Sequence, residues 1–209
     1  MKYIPNIIIK KKIYIISVFF LFFLCTCFTG CQFLELARKV VYKEGSIESR
    51  LEAIEIRASK GIEIKESEQK NYSAVITAGD DTDNNQIKGI FVFDIEKLYR
   101  HEILRASISI SGAHTKSKPF FGEKVIVEAV DVIDFDGEGE FIADFPVGNF
   151  LDFIILNDNL KKSIVDAIES GRDKFYLRFE LENPTNNDNI EDLVIINLHD
   201  AYLKAEFID

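Results

Sequence analysis

Ile103-Leu104-Arg105-Ala106-Ser107-Ile108-Ser109-Ile110-Ser111 alternates apolar and polar residues almost without a break. Leu104, Ala106, Ile108 and Ile110 fall on one face, and Arg105, Ser107, Ser109 and Ser111 on the other. That period of two predicts a strand with one buried side and one side in water. The same pattern recurs on either side of it. Lys174 to Glu182, KFYLRFELE, sets Phe175, Leu177, Phe179 and Leu181 against Tyr176, Arg178, Glu180 and Glu182. Glu123 to Val132, EKVIVEAVDV, is rich in the β-branched residues that suit a pleated surface.

Shorter segments complete the series. Ile62 and Ile64 alternate with Glu63 and Lys65. Tyr72 to Ala78, Ile87 to Asp94, Phe141 to Phe145, Leu193 to Leu198 and Tyr202 to Ile208 are further strand candidates. Polar, turn-forming stretches separate them: Gly79 to Gln86 (GDDTDNNQ), Asp134 to Glu140 (DFDGEGE) and Asn183 to Asp192 (NPTNNDNIED). One helix stands out. Asn157 or Asn159 caps it, Leu160, Ile164, Val165 and Ile168 recur at helical spacing, and Gly171 ends it. Many short strands, polar turns and one or two short helices predict a mainly β fold, an antiparallel β-sandwich spanning 62–209.

Upstream the pattern differs. Residues 31–61 read as a tether plus a helix, with Ser46 as its cap and Ile47, Leu51 and Ile54 on one face. A strand from Ala53 to Ala58 is the competing reading, because Ile54, Ile56 and Ala58 alternate.

The first thirty residues differ in kind. Lys2, Lys10, Lys11 and Lys12 form a basic start, and the apolar run Ile13 to Phe28 follows, broken only by Ser17 and Thr26. Thr29, Gly30 and Cys31 come next. That is the order of a secretory signal. Phe28-Thr29-Gly30-Cys31 resembles a lipobox, with Phe28 in place of the usual Leu, and it implies cleavage before Cys31 and a lipid on that cysteine. A bilayer-spanning helix needs roughly 20 apolar residues, more than this run supplies. Plain secretion would leave Cys31 as a lone thiol. Cys25 and Cys27 leave with the signal, so the body has no cysteine for a disulfide or a thiolate metal site. The expectation is a lipoprotein of the bacterial cell envelope, membrane-anchored by lipid, with residues 1–30 removed and the body outside the cytoplasm.

Four lysines and no acid leave with the signal, which takes the formal charge from −10 to −14. So acidic a body repels phosphates and makes a poor partner for nucleic acid or anionic head groups. The 179 residues from Cys31 to Asp209 suffice for one cored domain without crosslinks.

Gly89 to Gly112, GIFVFDIEKLYRHEILRASISISG, resembles a segment of bacterial β-sandwich domains of the DNRLRE and carbohydrate-binding-module type. Phe93-Asp94-Ile95, Leu98, Ile103, Ala106 and Ile108 occupy the matching places. The helix Leu160 to Ser170, the strand Phe175 to Phe179, the loop Thr185-Asn186-Asn187-Asp188, Leu193 to Ile195 and the closing strand Tyr202 to Phe207 follow in the same order. The resemblance covers roughly Ile62 to Ile208 and consists of core spacing. It implies a jelly-roll-like sandwich in an exported protein, with glycan binding among its relatives. Trp, a frequent sugar platform in such folds, is absent here, leaving Tyr72, Tyr99, Tyr176 or Tyr202 as substitutes or, more plainly, as strand and core residues.

Catalytic signatures are missing. His101, His114 and His199 are isolated, with His114 in a polar loop beside Lys116 and Lys118, and no nucleophile motif or phosphate loop occurs. Three groups of acids sit in loops of the kind calcium uses: Asp80, Asp81 and Asp83; Asp134, Asp136 and Glu138; Asp188, Glu191 and Asp192. None has EF-hand spacing, and Asp and Asn also favour turns for their own hydrogen bonds. Structural calcium is the one cofactor these groups suggest. The expected function is non-enzymatic binding or structural interaction, with an envelope polysaccharide or envelope protein as partner. The alternative is a glycan-processing hydrolase using paired carboxylates.

Overall fold

A computed structural model describes residues 51–67, 69–116, 124–147, 152–183 and 187–208. The expected signal, Cys31, the expected tether and helix up to Arg50, and Thr185 and Asn186 lie outside these residues. The chain begins with β1 (Leu51–Arg57), β2 (Lys60–Lys65), β3 (Lys70–Ser73), β4 (Val75–Asp80) and β5 (Gln86–Asp94). Next come β6 (Ile103–Ser111), β7 (His114–Lys116), β8 (Lys124–Val130), β9 (Gly139–Pro146) and β10 (Asp152–Ile155). Helix α1 (Asp158–Glu169) precedes β11 (Lys174–Leu181), β12 (Asp192–Asn197) and β13 (Ala201–Ile208). The protein is mainly β and antiparallel, a sandwich with one α-helix among the described residues.

The small sheet has the order β1-β13-β6-β10 and the large one β7-β12-β4-β5-β11-β8-β9. Between them lies a core that includes Phe91, Phe93, Phe175, Leu177 and Phe179 from the large sheet and Ile108, Ile110 and Leu203 from the small one. Phe145 of β9 and Phe153 of β10 meet between the sheets with ring centroids 4.4 Å apart. Helix α1 adds Leu160, Ile164 and Ala167 to this core. Its cap is Asn157, whose Oδ1 accepts from Leu160 N at 2.8 Å, and Gly171 follows it at φ 72° as the left-handed stop requires.

Several readings of the sequence need correction. Over Leu51–Arg57 the expected helix is a strand, with Ile54 opposite Ala205 and Ile56 opposite Leu203 of β13. An available strand edge and the period-two pattern outweigh helical spacing there. The compact unit accordingly begins at Leu51 and not at Ile62. In β6, Phe207 lies opposite Ile103 and Glu206 opposite Arg105. Leu104 is therefore the extra residue of a bulge: Ile103 is buried in its stead and Leu104 is half-buried. His114 belongs to β7, opposite Ile195 of β12, and is not in a loop.

The large sheet divides at β5. On one edge, β4 pairs with Gln86 and Ile87, and β11 takes over from Gly89 to Asp94. The other edge carries β2, which pairs in turn with β3. Two glycines let β4 lie against β2 and β5. A Cβ on Gly61 would stand 2.7 Å from the Ser73 carbonyl oxygen, and one on Gly89 would stand 2.8 Å from that of Thr77. A side chain on Gly89 would push β4 away, and one on Gly61 would push the end of β3 and Ile76 of β4.

Residues 131–138 connect β8 to β9 and lie across the outer face of the large sheet. Phe135 packs there with Ile62, Ile64, Ile90, Val92 and Val130, forming a second, smaller core. Three basic side chains from three strands hold alternate carbonyls of this strap. Lys70 Nζ donates to Ile133 O at 2.6 Å, Lys88 Nζ to Phe135 O at 3.0 Å and Arg178 Nη1 to Gly137 O at 2.6 Å. Lys88 also sits 4.5 Å from the centroid of the Phe135 ring. Beneath the strap Arg178, 4% exposed, pairs with Glu128, and Lys88 pairs with Glu180 at 2.8 Å. Arg178 is thus buried, where alternation alone put it on a wet face.

Candidate polar cleft

A cleft of about 400 Å³ opens where α1 meets the β8–β9 connection. Asp131 and Glu138, the two ends of the strap, form one wall with Gly139 and Glu140 of β9. Ser163 and Asp166 of α1, with Ser170 and Arg172 beyond it, form the other. Phe175, 3% exposed, lies at its base. Gly139 is required because a Cβ there would come within 2.8 Å of the Glu128 side chain, the partner of Arg178.

Glu140 is the best-fixed group in the cleft. Lys162 Nζ donates to Oε1 at 2.6 Å and Ser163 Oγ to Oε2 at 2.6 Å. These bonds, the one from Lys162 first, hold its carboxyl below the usual range against a smaller upward push from burial. Lys162 also reaches Asp166 at 3.2 Å, and its own pKa is raised, chiefly by the bond to Glu140. Across the cleft Arg172 pairs with Asp131, while its buried Nε meets no acceptor. Glu140 is thus an acceptor held by a base and a hydroxyl. A glycosidase needs one carboxyl kept protonated, and Glu140 is shifted the opposite way.

The other expected residues scatter. Tyr72 (70% exposed), Tyr99 and Tyr202 each line a different shallow hollow, and Tyr176 is half-buried under the strap. The Tyr202 hydroxyl accepts from Arg57 Nη2 at 2.8 Å, and that guanidinium lies 5.1 Å from the ring centroid. His101 stacks on Phe207 with centroids 3.8 Å apart, His114 sits in β7, and His199 lies in the 3-10 turn Leu198–Asp200.

Two of the three acidic groups come together. Asn84 Nδ2 donates to Asn189 Oδ1 at 2.6 Å and Asn189 N to Asn84 Oδ1 at 3.0 Å, so the loops around residues 80–85 and 187–192 clasp. Asn84, Asn187 and Asn189 all take left-handed backbone near φ 60°, which Asn tolerates better than most residues. Asp81 organises the first loop: its Oδ1 accepts from the N–H groups of Asp83 and Asn85, both at 3.0 Å, and Lys65 pairs with Oδ2 at 2.9 Å. Burial would raise its pKa, but Lys65 and these donors prevail and hold it at about 2. Asp188 accepts from Ile190 N at 2.7 Å and Glu191 pairs with Lys116. Asp134, Asp136 and Glu138 stand apart on the strap. Among the described residues no three His, Cys, Asp or Glu side chains form a metal-holding group.

Glu140, Ser163, Asp166 and Arg172 went unnoticed in the sequence, where only the Lys162–Asp166 spacing of four hinted at a shared helix face. No helix among the described residues is long and apolar enough to cross a membrane. No protein-family model matches the chain and no curated protein matches it.

Proposed function

We propose that this chain is a bacterial envelope lipoprotein whose sandwich binds a polar ligand, an envelope polysaccharide foremost, without transforming it. Its signal is removed before Cys31, lipid on that cysteine anchors it, and the body stands outside the cytoplasm. The observation that carries the binding reading is the doubly held Glu140 carboxylate in the cleft. A fixed, ionised acceptor beside Asp131, Asp166 and Ser163 suits the hydroxyls of a sugar. The same fixation makes Glu140 unsuited to donate a proton, the role that hydrolysis would ask of one carboxyl of a pair.

Retention of the full-length chain on an array of bacterial envelope polysaccharides tests this reading. Glu140→Gln and Arg172→Ala should each weaken binding about tenfold, the scale of a lost charge-assisted hydrogen bond. New reducing ends on a bound polymer would replace binding by hydrolysis. The anchor is tested separately: mass spectrometry of membrane-extracted protein should find an acylated N-terminus at Cys31, and Cys31→Ser should abolish processing. Docking to an envelope protein is the second reading, favoured by Ile154, 69% exposed on edge strand β10.

A further inference from the structure

We infer that the outer edge of β10 pairs with the same edge of a second copy of this chain, across a two-fold axis at Ile154. β10 bonds to β6 along one side, and no described strand pairs with its other side. Such edges invite pairing between chains, and proteins guard them with charges, proline or bulges. The other terminal strands are guarded. β1 carries Glu55 and Arg57, β3 carries Lys70 and β7 carries Lys116. β9 has a bulge opposite Val127 and Glu128 and ends in Pro146. β10 reads Asp152-Phe153-Ile154-Ile155, and its single charge is turned back onto its own sheet, where Asp152 Oδ1 accepts from Gly112 N at 3.2 Å. Ile154 and, two residues on, Leu156 are 69% and 65% exposed.

A second copy fits this edge because the edge complements itself. In an antiparallel pair centred on Ile154, each Ile154 meets its twin and each Asp152 meets Leu156 of the other chain. The two aspartates are kept at opposite ends, so no like charges face each other. The isoleucines and leucines of both chains then cover one another on one face, and two four-stranded sheets become continuous. So short an edge buries far less than the roughly 1,200 Å² of a stable interface, and the pair is weak between chains free in solution. Chains held by lipid on one membrane meet at a much higher effective concentration. The pairing rests on the proposed anchor for its strength and not for its geometry.

Cysteine crosslinking reads the register directly, since no cysteine follows Cys31 in the sequence. Residues directly opposite in an antiparallel pair have Cα atoms about 4.5–5.5 Å apart, within the roughly 4.4–6.8 Å that a disulfide spans. Mild oxidation of membranes carrying full-length Ile154→Cys should turn most of the chain into a disulfide-linked dimer, with wild type as the background. Asp152→Cys alone should stay at background, and Asp152→Cys coexpressed with Leu156→Cys on a separate chain should crosslink. Detergent-purified Ile154→Cys at high concentration repeats the test without the bilayer. A dimer there and none in membranes would count against the anchor and leave the pairing standing. Monomer in both settings, equal crosslinking at Asp152→Cys, or capture of another protein in place of the second copy overturns the pairing.

Discussion

On the outer face of the large sheet, Ile62, Ile64, Ile90 and Val92 are buried because the strap from Asp131 to Glu138 lies over them. On the outer face of the small sheet, Ser109, Ser111 and Tyr202 border an open hollow, and Ile154 stands in water. The difference starts in the strands. Ile90-Phe91-Val92-Phe93 is apolar on both sides, and all four residues are buried. In β6 each apolar residue from Ala106 onward is followed by serine, so one layer of protein is enough. A strand that is apolar on both faces demands a third layer, and here a connection supplies it.

The strap is fastened in an unusual way for a β protein: cations on the sheet grip its carbonyls, and no strand ladder forms. Removing the deepest of these grips should therefore have the largest effect. Arg178→Ala leaves the half-buried Glu128 without its base and Gly137 without its anchor, and is expected to cost about 3 kcal/mol in urea unfolding. A loss no larger than that of a surface arginine would show that the strap holds itself. Next comes Phe135→Ala, expected to cost about 3 kcal/mol and to increase binding of an apolar dye. Ile154→Ala on the open face should change stability by less than about 0.5 kcal/mol. Equal costs for these two substitutions would erase the contrast between the faces.

Acid separates the strap from the clasped loops. Carbonyl oxygens do not titrate in this range, but Asp81 does. Its folded pKa of about 2 lies below the ordinary 3.8. Its stabilising contribution is therefore complete above about pH 4 and fades as the pH falls toward 2. Hydrogen exchange in residues 80–85 should accelerate across that window before exchange at the strap does, and Asp81→Asn should remove the pH dependence. Simultaneous loosening of both regions would mean that they are one cooperative unit.

Alternation located β6 and β11, β-branched content located β8, and apolar runs between polar turns located β5, β12 and β13, because each is long enough for its pattern to register. These signals passed over β7 and β10, which have three and four residues, too few for a period to register. β7 is exposed throughout and holds its place by pairing with β12. The strap was visible only as an acidic turn. Its fastenings join residues 41 to 63 positions apart through backbone oxygens, which carry no trace in the side-chain pattern. The cleft was hidden for a related reason: its walls come from the ends of β8, β9 and α1 and the start of β11, and none of its acids is distinctive alone. The asparagine-rich loops were legible as turns, yet nothing local indicated that they would find each other.

The position of β13 bears on when this fold can exist. It lies between β1 and β6, bonded along both edges, so two strands made earlier wait for it with open hydrogen-bonding groups. A chain emerging vectorially from a ribosome or a translocation pore cannot complete the small sheet until residues 201–208 are free. Until then the apolar sides of Ile56, Ile108 and Ile110 have no finished surface to rest on. Closure of such distant pairs is slow, and the waiting intermediate is sticky. Loss of a few residues from this last strand would thus act less like trimming an edge than like withdrawing the keystone.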